Sequence, residues 1–310
     1  MRNIIKKDAR PAIFLLLAFS LLLLSLAWTL LPFRTRSGPA AANFNGERAY
    51  QDIRYQTQLG ARTPGSEAHT QTRAWIKDEL QKAGWQVEEQ VFDSLGHRGY
   101  NIVASRSDSA PEIILGAHYD TRIHADHDPD VEKRKQAVLG ANDGASGVAA
   151  LLELARVIPS NLSPSSPVIW LVFFDLEDNG NLPTWDWILG SRAFVDGYTL
   201  NNSVQAAIIL DMIGDDDLNI YLEKNSDPAL RAEIWDVAAS LGYDDYFISQ
   251  EKYSILDDHT PFLEAGIPAV DIIDFDYPYW HTSEDTIDQV SAESLAIVGE
   301  TVLGWLKTKE

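Results

Sequence analysis

The chain has no cysteine among its 310 residues. Disulfides, thiolate zinc sites, cysteine nucleophiles and lipid attachment through an N-terminal cysteine are therefore excluded, and any zinc must be held by histidine and carboxylate. Basic residues are scarce as well: 25 Lys+Arg stand against 46 Asp+Glu, a formal net charge of −21 at pH 7. Residues 1 to 36 hold six of the basic and one of the acidic residues, so the remainder carries 19 against 45, a net of −26. Such a surface repels polyanions, which argues against nucleic acid and anionic lipid as partners. Solubility accounts for most of this charge, and carboxylates that bind metal would account for some of it. No internal repeat is visible, and length and composition fit one large α/β domain.

One segment lacks charge altogether. Residues 12 to 31, AIFLLLAFSLLLLSLAWTLL, are 20 uncharged positions, roughly 30 Å of helix and the thickness of a bilayer core. That is longer than the apolar stretch of an ordinary cleaved signal, although cleavage near Ala40–Ala42 is the alternative. Arg2, Lys6, Lys7 and Arg10 precede the run. The positive-inside rule then predicts a basic cytoplasmic tail over 1–11, a transmembrane signal anchor over 12–32 and an extracytoplasmic remainder. Residues 33–48, small and polar, read as a linker to a catalytic domain over 49–310.

Within that domain, strands and helices alternate. Residues 65–83 have helical apolar spacing, with Gly84 as a stop. VEEQVF and YNIVASR read as early strands, and EIILGAH, VIWLVFF, AAIILDMIG and IPAVDIIDF as buried ones. ASGVAALLELARVI, GSRAFVDG, PALRAEIWDVAASLG and SAESLAIVGETVLGWLKT read as helices. Continuous apolar strands between helices predict an α/β fold, one globular domain with a sheet covered on both faces. Residues 124–136 read as a polar surface loop inserted between two strand-end motifs.

Five potential metal ligands each end an apolar run: His118, Asp143, Asp178, Asp211 and His281. Ligands of open α/β sheets bind beyond the carboxyl ends of the strands. His118 and Asp120 are two apart and share a strand face, so Asp120 can orient the imidazole or join it as a ligand. Asp143 precedes a helix, where a plain N-cap is the simpler reading. Glu177 and Asp178 are adjacent and point in different directions. One can bind metal while the other faces substrate as general acid and base. Asp211 follows three large aliphatics, a depth at which Asp is seldom unpaired. Asp257, Asp258 and His259 precede a further helix, His259 as a capping or supporting histidine, and Trp280 precedes His281.

Singly these signals are weak, but their order is specific: HxD, ND-G-xSG, FFD-x-ED, LDMIG, DDH…WHT. It resembles the M28 zinc peptidase superfamily over roughly residues 50–308, and within it the bacterial glutaminyl-peptide cyclotransferases. The resemblance implies a central mixed, mostly parallel sheet flanked by helices, with metal at the strand ends. In the cyclase branch it implies one zinc held by Asp143, Asp178 and His281. In the aminopeptidase branch it implies two, bridged by Asp143, with His118 and Asp211 on the second.

Asp257 in the DDH triplet, Trp280 before the last histidine, and ADHDPD ahead of NDGASG favour the cyclase. That activity converts N-terminal Gln of peptides or proteins to pyroglutamate and releases ammonia. Glu177 would carry the proton, with Asp211 and Asp257 in a supporting hydrogen-bond network. Trp185 and Trp280 would be apolar walls, with Trp187 the other candidate for the first. An M28 aminopeptidase, or a non-catalytic zinc-binding relative, are the alternatives. Two positions depart from the pattern. Asp178 stands where Glu is usual, an exchange that bacterial cyclases also take. Asp271 stands where animal cyclases place a histidine lining the site.

Overall fold

The computed structural model describes residues 44–163, 165–200 and 204–310. The chain divides into Met1–Gly38 and Pro39–Glu310, and every described residue lies in the second part. The tail over 1–11, the anchor over 12–32 and the start of the linker thus lie outside the described residues. Among the described residues, no helix is long and apolar enough to cross a membrane.

Folded chain begins before the expected domain boundary, which corrects the linker of 33–48. Phe44 is buried against α7 (Ala292–Lys307), where Gly299 leaves room for its ring: a Cβ there would lie 2.2 Å from it. Asn45 then caps α1 (Gly46–Leu59), its side chain accepting from Arg48 N at 3.0 Å. Burial of one phenylalanine and a satisfied helix N-terminus outweigh the loop-like composition around them.

After α2 (Glu67–Lys82), strands β1 (Gln86–Ser94) and β2 (His97–Ser105) form an antiparallel hairpin. Its two-residue turn, Leu95 and Gly96, has φ of 51° and 88°, the doubly left-handed turn that matches strand twist. Strand β3 (Ile113–His118), helix α3 (Ala145–Asn161), strand β4 (Ile169–Phe174), helix α4 (Leu189–Gly197) and strand β5 (Ala206–Asp211) follow. Next come β6 (Ile220–Leu222), α5 (Pro228–Leu241), β7 (Phe247–Glu251), α6 (Thr260–Glu264), β8 (Ala269–Ile273) and α7.

The main sheet has the order β1-β2-β4-β3-β5-β8. Strands β4, β3, β5 and β8 are mutually parallel, and the β1–β2 hairpin adds antiparallel to β4, so the sheet is mixed. Alternation along the strands feeds two cores. Leu115, Phe173, Ile208 and Ile272 face the layer that holds α1, α3 and α7. Ile114, Phe174 and Ile209 face the opposite layer, with Phe194 of α4 and Phe262 of α6. Both faces are covered, as continuous apolar strands require. The parallel pair β6–β7 was not legible in the sequence: β6 has three residues, and most of β7 is exposed.

Candidate metal centre and catalytic pocket

Parallel strands deliver their carboxyl ends to one edge of the sheet. His118 is the last residue of β3 and Asp211 the last of β5, while Glu177 and Asp178 follow β4 within one turn. Asp143 sits on the turn into α3, just before the capping residue Gly144, which has φ of 87°. His281 lies in the loop beyond β8. Strained backbone gathers here. Leu176, Met212 and His281 all have positive φ, at 58°, 47° and 56°. Such conformations persist only where the surroundings over-determine them.

The carboxylate of Asp143 lies between two histidines. Its Oδ1 is 3.0 Å from His118 Nε2 and its Oδ2 3.6 Å from His281 Nε2. Asp211 Oδ1 lies 3.1 Å from His118 Nε2, and Asp178 Oδ1 lies 2.8 Å from His281 Nε2. Two donor triads result, His118–Asp143–Asp211 and Asp143–Asp178–His281, all buried and sharing Asp143. Asp143 Oδ2 and Asp178 Oδ2 are buried without a hydrogen-bond partner. Desolvated carboxylate oxygens are costly unless a cation meets them. Imidazole and carboxylate in a cysteine-free chain are a zinc-type donor set. The residues therefore fit a zinc ion.

Supporting groups fix these side chains from behind. Asp120 accepts from Glu177 N at 3.0 Å, from Asp178 N at 3.4 Å and from Asn179 Nδ2 at 3.3 Å, and stands 3.7 Å from His118 Nδ1. One carboxylate thus sets both the acid pair and the imidazole. Asp285 accepts from Asn142 N, Asp143 N and the Tyr277 hydroxyl at 2.8, 3.2 and 2.7 Å. Fully buried Arg62 donates to the carbonyls of Tyr119, Leu139 and Gly140, bracing the turn that carries Asp143. Neither Asp285 nor Arg62 carries a local sequence signal; only the tertiary fold shows what each one holds.

Electrostatics separate the two histidines. Burial pushes His281 down to about 3, with Arg122 and His127 adding to the effect against Asp143, so it stays neutral, the form that ligates metal. For His118, burial works downward but is outweighed by Asp211, Asp120 and Asp143, which hold it well above the usual imidazole value. Burial, reinforced by Asp257 and Asp178, raises Glu177 well above the usual carboxylate range. Burial and Asp143 do the same for Asp178. A dication at the Asp143–Asp178–His281 triad would reverse the last of these.

A cavity of about 220 Å³ opens over this centre. Glu177, Asp211 and Asp257 reach it with the metal triad, and Trp280, Phe275 and Ile273 form apolar wall. The second tryptophan is a correction. Trp185 does not line the cavity: its ring stacks on His97 at 3.5 Å, fastening the loop to the β1–β2 turn. Trp187 lines it instead, parallel to His281 at 5.9 Å. Gly180 makes room, since a Cβ there would lie 2.1 Å from the Trp187 ring, and the Arg122 guanidinium covers the ring at 5.0 Å.

Arg122 also donates to the carbonyls of Asp178 and Gly180, at 2.9 and 3.2 Å. The insertion 124–136 is likewise more than a surface loop. His127 packs edge-on against Trp280 at 4.6 Å, and its N–H donates to His281 O at 3.2 Å. His259 belongs to neither of these triads; it groups with Asp257 and Asp271 and is fully buried, 3.4 Å from Glu223 Oε2 and 3.8 Å from Asp271 Oδ2.

Comparison with known proteins agrees with this geometry. Residues 101–306 match Peptidase family M28. The glutaminyl-peptide cyclotransferase of Boiga irregularis is 30% identical over 281 residues, covering 74% of this chain and 74% of that one. The crystal structure of Bacteroides thetaiotaomicron glutaminyl cyclase bound to N-acetylhistamine is similar at a TM-score of 0.81 and 31% identity, over 87% of this chain and 100% of that one. A leucine aminopeptidase precursor from Bacteroides thetaiotaomicron VPI-5482 is similar at the same TM-score and identity, over 87% of this chain and 99% of that one. With residues 101–306, about two thirds of its length, matched to the family, this chain belongs to Peptidase family M28.

Proposed function

We propose that the protein is a zinc-dependent glutaminyl-peptide cyclotransferase, converting N-terminal Gln of peptides or proteins to pyroglutamate. The observation that carries this reading is the pocket: a buried carboxyl, Glu177, beside a zinc-type triad in a cavity of about 220 Å³ walled by Trp187 and Trp280. The similarity to cyclotransferases over most of the chain supports the same conclusion.

Asp143, Asp178 and His281 would hold one zinc, which when bound supplies Lewis acidity toward an amide carbonyl. The chain's own residues do the rest. Glu177 takes a proton from the substrate's α-amine as that nitrogen bonds to the side-chain carbonyl carbon. It returns the proton to the amide nitrogen, which leaves as ammonia when its C–N bond breaks. Asp211 and Asp257 position the amide nitrogen and Glu177. The two tryptophans exclude water, whose attack would hydrolyse the amide instead of cyclising the peptide.

The second reading is an M28 di-zinc aminopeptidase, favoured by the complete second triad of His118, Asp143 and Asp211. Incubation with a Gln-initiated and a Leu-initiated peptide decides between them. Ammonia release and a loss of about 17 Da from the first, as displacement of an amine requires, supports the cyclase. Shortening of the second by one residue overturns it. Metal analysis bears on the same choice, with one zinc per chain expected.

We further propose that residues 12–32 anchor the domain outside the cytoplasm, on the strength of the uncharged run and its preceding basic residues. Protease accessibility of the domain on intact cells, with retention in the membrane fraction, is the expected result. A released, shortened chain would overturn it.

A further inference from the structure

Two residues before Glu177 stands a buried acid that the reaction does not use. Asp175 follows the last residue of β4 and is fully buried. Its partner is His69, on the first turn of α2 and 2% exposed, whose Nε2 donates to Asp175 Oδ1 at 2.8 Å. A carboxylate can only accept, so Nε2 carries the proton. Neither residue lines the cavity. Polar groups at this depth need partners, and the partners of Asp175 include the backbone that leads into the site.

Asp175 ties together three stretches of chain. Its Oδ2 accepts from Tyr100 N on β2 at 2.9 Å, and its Oδ1 accepts from Leu176 N at 2.9 Å as well as from His69. Its own N–H donates to Asn101 Oδ1 at 3.0 Å. The bond to Leu176 has the largest consequence. Leu176 is left-handed, with φ of 58°, a conformation that a residue with a side chain keeps only where its surroundings impose it. Beyond it, Leu189 N donates to Leu176 O and Ile188 N to Glu177 O, each at 3.1 Å. His69 is fixed in turn. Its ring stacks on Tyr119 at 5.1 Å, and Tyr119 N donates to Phe174 O at 3.0 Å. An imidazole clamped in this way keeps the Asp175 carboxylate on the Leu176 amide.

We infer that His69 is a positioning residue for Glu177: through Asp175 it holds Leu176 left-handed and so aims the proton carrier into the pocket. The inference rests on the role proposed for Glu177. Without the imidazole, the Asp175 carboxylate is free to turn, the Leu176 amide loses its acceptor, and the backbone ahead of Glu177 relaxes. Asp120 still holds the amides of Glu177 and Asp178. The zinc triad therefore keeps its donors while the proton carrier loses its aim.

The test compares His69→Leu with His69→Gln in the zinc-loaded full chain. Leucine removes the donor, whereas glutamine places an N–H near the position of Nε2. In His69→Leu, kcat for a Gln-initiated peptide should fall about 10- to 100-fold, the cost of a small misplacement at the reacting centre, with KM changed by less than about threefold. Zinc content should be that of the parent chain, and His69→Gln should recover most of kcat. Trp85→Phe is the control. It deletes the buried bond from Trp85 Nε1 to Ala155 O, 2.9 Å long, and should lower stability with kcat unchanged.

Amide hydrogen exchange gives a readout that needs no turnover. The Leu176 amide should exchange about tenfold faster or more in His69→Leu, measured against the amides of β5, and return to the parent rate in His69→Gln. Parent-like Leu176 exchange in His69→Leu would overturn the assignment. So would an unchanged kcat, or a fall in kcat that glutamine does not reverse or that Trp85→Phe shares. If the parent chain releases no ammonia, the proposed reaction fails, and Leu176 exchange alone decides whether His69 holds this turn.

Discussion

Glu177 and Asp178 are neighbours in the chain with different tasks, and their separation is built from backbone. Asp120 holds both amides, and the left-handed Leu176 turns the chain just before them. Glu177→Gln keeps the volume and removes the proton carrier. It should lower kcat by about 10²- to 10⁴-fold, the usual share of a general acid–base, while metal content stays that of the parent chain. Assay and metal analysis on one preparation check both halves. The tryptophans make a second contrast at this scale. Trp187→Ala should lower kcat/KM by about tenfold or more as the pocket loses its wall, and Trp185→Ala should change it less than about threefold. The donors were legible in the sequence because each ends an apolar run. Which tryptophan turns inward was not, because that depends on how the ring packs over Gly180 and under the guanidinium of Arg122, which is remote in the chain but adjacent in space.

Among the elements, helix α3 and strand β5 do most to bring the two triads together. The helix lies close enough to the strand that a Cβ on Gly147 would stand 2.2 Å from Leu210 O and 2.9 Å from Ala117 Cβ. Backbone cannot yield as a flexible side chain can. Gly147→Ala should therefore cost about 1–3 kcal/mol and, by shifting the start of α3 and with it Asp143, weaken zinc binding. Urea unfolding and a zinc titration would show it, and an unchanged midpoint would refute the close approach. The strands and main helices were legible from periodicity. Helix α1 was missed because the polar composition before it reads as linker, whereas Phe44 and the Asn45 cap begin the fold there. The insertion 124–136 read as a surface loop because its polarity does not reveal that His127 lies against Trp280.

For the molecule as a whole, acidity has a cost that depends on pH. Burial lifts the fully buried Asp274 carboxyl to about 7, against 3.8 unfolded. A raised folded value means that the native state binds its proton more firmly than the unfolded chain does. Its contribution is fully present below about pH 4 and is lost as pH rises toward 7. Asp274→Asn cannot ionise, so it should flatten the fall in Tm between pH 5 and 8 relative to the parent chain. Calorimetry across that range checks the sign, and a steeper fall in the variant would overturn it.

What the sequence by itself determined was the inventory and the edge. Apolar runs between helices dictate a sheet covered on both faces, and residues ending those runs must reach one rim of it. The order of those residues is specific enough to resemble one superfamily. Tertiary structure decided what meets what. Asp143 lies between His118 and His281, Asp120 serves four groups at once, and Trp187 rather than Trp185 closes the pocket. The physical reason is range. Strand and helix periodicity are local properties of a few residues, whereas a desolvated cluster of carboxylates and imidazoles takes its chemistry from groups more than a hundred positions apart, such as Asp178 and His281.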